Sequence, residues 1–260
     1  MCLVVLAIEQ HPRFPLILAA NRDEFHARPT RNAAWWTDRP NTFGGRDLQA
    51  GGGWLALHRT GRFATVTNYR DAEPTATGFR SRGHLVADFL DGEQSPLDYV
   101  RSIDGARYAG FNLIAGDGNQ VAYVSNRGAE ARALSAGIYG LSNALLDGPW
   151  SKVERSKAGL RSLLARETIN ETTLLRLLND KTRGPAEEIE AGHLDFATRH
   201  ALSAPFIVTP DYGTRCSSVV LVNDAGCWQM TERRFDHAGI GTGDSRCSFH
   251  AQPTSAKNRQ

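Results

Sequence analysis

Apolar residues run unbroken through 3–8 and again through 14–20, with the short polar link 9–13 between them. Runs this short and this tightly joined predict two buried strands paired as a hairpin. A glycine-rich stretch, 44–53, leads into 54–58, where apolar and polar residues alternate. Thr60-Gly61 then makes a turn, and 62–69 is the return strand. Residues 81–90 and 96–103 predict short helices. Residues 111–115 and 120–125 predict strands around the turn Gly116-Asp117-Gly118-Asn119, and 137–141 adds another short strand. Helix then dominates. Pro149 suits a helix start, and Trp150, Val153, Leu160, Leu163 and Leu164 form an apolar stripe, while 172–178 predicts a second helix. The chain returns to strand at 216–222, turns through 223–226 and runs back over 227–233.

Strands first, helices in the middle and strands last is not a strand–helix–strand alternation, and hairpins give antiparallel sheets. The expected fold class is α+β, with stacked antiparallel sheets sandwiched by helices. Residues 1–236 are expected to form a single domain. Residues 237–260, with several Gly, Ser and Thr and a Lys near the end, are expected to form a loose tail.

An apolar fraction of 41% over 260 residues is enough for a sizeable core. A formal net charge of +2 gives no reason to expect nucleic acid or a polyanionic partner. No run of about 18 apolar residues occurs, so no transmembrane helix is expected. The opening residues lack the basic segment of a secretory signal. Cys2, Cys216, Cys227 and Cys247 are therefore read as free thiols in a reducing, cytoplasmic location. The eight histidines do not cluster at metal-ligand spacing, so no metal is expected. Gly51-Gly52-Gly53 is not a phosphate loop, because no Lys-Ser/Thr follows it.

Cys2 directly follows the initiator Met. Removal of Met1 would leave one residue with both a thiol and a free α-amine, whose reference pKa near 8 lets it accept the thiol proton. The competing reading is a buried Cys at the start of a strand. The four polar residues Asn21-Arg22-Asp23-Glu24 follow an apolar strand and would ordinarily form a solvated turn. A hairpin, however, returns Asp23 to the neighbourhood of Cys2, where a carboxylate could orient the amine. Asn68 and Asn143 each end a strand. Each is either a turn residue or a donor to a developing oxyanion. Arg215 precedes the last hairpin; buried, it could lower a thiol pKa, and exposed, it would simply be solvated.

The string Leu16-Ile17-Leu18-Ala19-Ala20-Asn21-Arg22-Asp23-Glu24, with Cys2 ahead and Arg28-Pro29 behind, resembles the signature of the NRDE family, also called the Transport and Golgi organization family. Thr67-Asn68-Tyr69, Gly110-Phe111-Asn112-Leu113-Ile114, Ser142-Asn143-Ala144 and Tyr212-Gly213-Thr214-Arg215 follow in family order, over about residues 1–235. The resemblance implies an αββα fold of the N-terminal nucleophile (Ntn) hydrolases. It implies catalytic roles for Cys2, Asp23, Asn68, Asn143 and Arg215, with Asn21, Arg22, Glu24, His26 and Tyr69 as substrate contacts. One departure stands out: related acylases carry an Arg a few residues before the Asp, where this chain has Ala20. Arg22 adjoins Asp23 instead and is expected to face the other way. Two functions follow from the resemblance. One is a cysteine-dependent hydrolase of small amide or thioester substrates that needs no cofactor. The other is a carrier that binds haem or acyl-CoA.

Overall fold

The computed structural model describes residues 2–71, 78–189 and 194–252, so Met1 and the end of the expected tail lie outside it. Its strands are β1 (Cys2–Ile8), β2 (Leu16–Phe25), β3 (Thr30–Trp35), β4 (Thr42–Asp47), β5 (Leu55–His58), β6 (Phe63–Asn68), β7 (Phe111–Gly116), β8 (Val121–Ser125), β9 (Ala129–Leu134), β10 (Gly137–Leu141), β11 (Tyr212–Val222), β12 (Cys227–Phe235) and β13 (Gly241–His250). The helices are α1 (Gly83–Asp91), α2 (Pro96–Ser102), α3 (Ser151–Ala165), α4 (Glu171–Leu178) and α5 (Phe196–Ala201).

Two antiparallel sheets stack face to face. One has the order β10-β1-β2-β11-β12-β13, and the other runs β3 to β9 in sequence. The strand runs are uninterrupted because both faces are buried. Along β2, Leu16, Leu18 and Ala20 enter the core between the sheets. Ile17 and Ala19 enter the core beneath α3 and α4. The helices α1 and α2 cover the outer face of the second sheet, over Val66, Phe111 and Leu113. The layering is αββα, as expected.

Three departures from the sequence reading have physical causes. Residues 21–24 are not a turn after a strand but the continuation of β2. Asn21 and Arg22 are paired on both sides, Arg22 lying opposite Cys2 of β1, and the pairing continues along β11, where Thr214 lies opposite Asp23. Both faces of the strand are covered here, so Asn21, Arg22 and Asp23 are buried with it. The second departure is β4, which runs into the glycine-rich stretch. A Cβ on Gly44 would fall 2.6 Å from the Leu55 carbonyl oxygen, so the composition reflects close strand contact rather than a loop.

The third is the expected loose tail. Gly241–His250 instead pairs with β12 as the edge strand of its sheet. Its glycines and serines look like turn residues, but an edge strand needs only backbone pairing and a few inward apolar positions. Phe249 supplies one of these, and Arg233 on β12 pairs with Asp244 across the strands at 2.9 Å. Phe249→Ala should therefore cost about 3 kcal/mol of stability by urea denaturation. An unchanged midpoint would mean that the strand does not contribute to the core.

Candidate active site

The hairpin of β1 and β2 puts Cys2 beside the polar end of β2. The residue's backbone is then held from the next strand over, where Ser142-Asn143 follow β10. The Cys2 N–H donates to Asn143 Oδ1 at 3.2 Å, and Ser142 Oγ donates to the Cys2 carbonyl at 2.6 Å. Asn143 Nδ2 donates to the Asn68 carbonyl at 2.7 Å, which ties the clamp to the end of β6 in the other sheet. A buried polar chain braces the clamp. Thr67 Oγ1 donates to the Ser142 carbonyl, Asn112 Nδ2 to the Ala144 carbonyl, and the Tyr123 hydroxyl to Asn112 Oδ1.

Cys2, Arg22, Asp23, Glu24 and Asn68 line one cavity of about 470 Å³, together with Trp54. Arg22 and Asp23 diverge, as alternation requires. The Arg22 guanidinium lies 4.2 Å from the centre of the Trp54 ring and donates to Thr30 Oγ1, while Asp23 Oδ1 accepts from Thr214 Oγ1 at 2.7 Å. Asn143 does not present a free amide to the cavity; its side chain is engaged by Cys2, Ser142 and Asn68. The Asn68 side chain is exposed and lines the cavity, and it makes no hydrogen bond among the described residues.

Other expected residues fall outside the cavity. Arg215 is the extra residue of a bulge in β11, and its Nη1 donates to the Phe25, His26 and Arg28 carbonyls. It lines a neighbouring cavity with Cys216 and Glu232. His26 holds the Thr209 carbonyl at 3.1 Å. Asn21 is structural: its Nδ2 donates to the Leu178 and Pro205 carbonyls, fixing the helical layer to β2. Tyr69 is half-buried and bonds through its backbone N–H to the Gly110 carbonyl.

Sequence reasoning missed Ser142, Thr214 and Lys152. Lys152 is 2% exposed, and its Nζ donates to the Leu202 carbonyl at 3.2 Å. Its signal was present, since it stands four residues before Ser156 and eight before Leu160, in line with the buried stripe of α3.

Burial sets the protonation of the site. It pushes the Cys2 thiol above its ordinary value, and the Asp23 charge adds to this while Arg22 opposes it. Burial also raises the Asp23 carboxyl, against the pull of Lys152, Thr214 and Arg22, and it lowers Lys152.

The chain matches the family model Transport and Golgi organisation 2 over residues 1–237. It is 37% identical to the Transport and Golgi organization protein 2 homolog of Bos taurus, over 90% of this chain and 92% of that protein. It is 35% identical to the Homo sapiens homolog with the same coverage. Among solved structures, it superimposes on a Caenorhabditis elegans ortholog of N-acylethanolamine-hydrolyzing acid amidase. The TM-score is 0.51 at 10% identity, covering 85% of this chain and 92% of that one. A mutant conjugated bile acid hydrolase from Clostridium perfringens gives a TM-score of 0.51 at 9% identity, covering 98% of each chain. These likenesses give the fold, that of the Ntn hydrolases.

The raised thiol has a kinetic signature. The thiolate is the reactive form, so reactivity grows as pH rises through the thiol pKa. Iodoacetamide labelling of Cys2, taken as the difference from Cys2→Ala, should be slow at pH 7 and still climbing above the ordinary thiol value of 9.0. A rate that has levelled off by pH 7 would contradict the burial effect.

Proposed function

Because the chain belongs to the Transport and Golgi organisation 2 family and carries the Ntn-hydrolase fold, we propose that it is a cysteine-dependent hydrolase of amide or thioester bonds, with Cys2 as N-terminal nucleophile once Met1 is removed. The observation that carries this reading is the clamp on Cys2. Asn143 Oδ1 holds the residue's nitrogen and Ser142 Oγ its carbonyl, beside the buried carboxyl of Asp23. A nitrogen held this way, once freed as an α-amine, keeps a fixed orientation toward its own thiol.

In the proposed sequence the amine takes the thiol proton, and the thiolate attacks the substrate carbonyl to form a C–S bond. The Asn68 amide, which lines the cavity, donates to the oxyanion; Asn143 positions the amine and the Asn68 backbone. The protonated amine then gives its proton to the departing amine or thiolate. Water, activated by the same α-amine, resolves the acyl-enzyme and regenerates the thiol. Burial raises the thiol pKa, so the built-in base has a definite task at neutral pH. Arg22 supplies a cation beside the thiol from a position adjoining Asp23, where the related acylases place theirs earlier in the strand.

A panel of acyl amides and acyl thioesters tests this. Cys2→Ser should keep at most a small residue of activity, and Asp23→Asn should lose most of it while remaining folded. Asn68→Ala should lose about a hundredfold in kcat. A protein with residues fused ahead of Cys2 should be inactive, because the base is blocked as an amide. Turnover by the blocked protein as fast as by the processed one would rule out the α-amine as base. Saturable binding of haem or acyl-CoA by both forms, with no turnover by either, would establish the carrier function instead.

A further inference from the structure

The cavity that holds Cys2 is lined by Arg22, Arg28, Arg80 and Arg82, against the carboxylates of Asp23, Glu24 and Asp47. Three of these arginines have carboxylate partners. Arg28 is bound to Asp47 through two nitrogens, at 2.9 and 2.7 Å. Arg22 lies 3.7 Å from Glu24, and Arg80 lies 3.3 Å from Asp88. Arg82 differs. Its Nη1 donates to the Gly110 carbonyl at 3.1 Å, and among the described residues it meets no carboxylate within ion-pair distance. The nearby Asp71 is already held in a fork by Arg127, at 2.6 and 3.0 Å. Burial disfavours the Arg82 charge, which is the situation an incoming anion would relieve.

A second feature points at the same wall. Ser81 and Arg82, which lead into α1, and Gly83, its first residue, all line the cavity. The first turn of α1 carries no acidic side chain, and its first N–H groups are held locally, Gly83 N–H by Ser81 Oγ at 3.3 Å and His84 N–H by the Ser81 carbonyl at 3.1 Å. The positive end of the helix therefore faces the cavity with no carboxylate in its own first turn. Two glycines hold it there. Gly52 meets Gly83 backbone to backbone, and a Cβ on Gly52 would fall 2.3 Å from the Gly83 carbonyl carbon. The glycine run that makes no phosphate loop in sequence seats a helix N-terminus in space.

We propose that this cavity selects acyl substrates bearing an anionic group, a carboxylate or a phosphate, and that Arg82, at the start of α1, holds that group while the acyl carbonyl lies at Cys2. The location of the carbonyl rests on the hydrolase reading; the anion site does not. A side chain already paired with a carboxylate must give up that partner to bind a second one. Among the described residues Arg82 has none to give up, so it is the residue on which selectivity should depend.

Calorimetry on the Cys2→Ala protein separates binding from chemistry. The probes are N-octanoylglycine, its neutral counterpart N-octanoylglycinamide, and octyl phosphate. The acid should bind at least about tenfold more tightly than the amide, the effect of one charge-assisted contact. Arg82→Gln should reduce the acid to the affinity of the amide and leave the amide unchanged, which also shows that the variant is folded. Arg82→Lys should keep part of the preference and Arg80→Gln all of it. Octyl phosphate stronger or weaker than the acid identifies the anion as phosphate or carboxylate. If Arg82→Gln does not fold, the preference must still shrink between 50 and 500 mM salt. Equal binding of acid and amide, no binding of either, or a preference that survives Arg82→Gln overturns the proposal. Hydrolysis plays no part in these readouts, so failure of the nucleophile mechanism would leave them intact.

Discussion

The site depends on the two-sided pairing of β2. One neighbour, β1, begins at Cys2, and the other, β11, brings Thr214. Backbone partners on both sides as far as Arg22, and on the β11 side beyond it, hold the strand extended past its apolar stretch, so Asn21, Arg22 and Asp23 are carried into the interior rather than released to solvent. Each must then find a partner there. Asn21 finds the helical layer, Arg22 finds Trp54 and Thr30, and Asp23 finds Thr214. Backbone pairing thus places these groups at one point, and their side-chain contacts set their directions.

That placement has an electrostatic cost, visible in the shifts of Cys2, Asp23 and Lys152, where burial is the first cause in each case. All three move toward their neutral forms. Buried groups of opposite sign limit the shift, since Lys152 draws Asp23 back toward ionisation and Asp23 does the same for Lys152. The protonation of the centre is therefore a shared property of residues from β1, β2 and α3, which are far apart in the chain.

Much of the fold was readable from the chain. Where both faces of a strand are buried, as in β1 and β2, the apolar run marks it directly. Strands that rely on one face or on close backbone contact were harder to read: β13 pairs through a stretch whose glycines and serines resemble a turn, and β4 is hidden by the glycines that let it approach β5. Within the site, the cluster of Cys2, Asp23, Asn68 and Asn143 followed from strand ends meeting. The direction of each side chain did not. Arg215 turns away because a bulge in β11 redirects it, and no residue type announces that bulge. Asn143 was expected as a donor toward the cavity, but its amide is already engaged with Cys2, Ser142 and Asn68, because the next sheet lies within reach.

The polar chain through Thr67, Asn112 and Tyr123 has a consequence for motion. It links three neighbouring strands of one sheet to the segment that follows β10 of the other, and Tyr123 also accepts from the Leu146 N–H at 3.1 Å. A segment fastened this way does not fluctuate as a surface loop on the nanosecond scale. The Leu146 amide is fastened into the buried chain, so it should exchange with solvent more slowly than the amides of surface turns, and the clamp on Cys2 is tied to the core rather than to a surface loop.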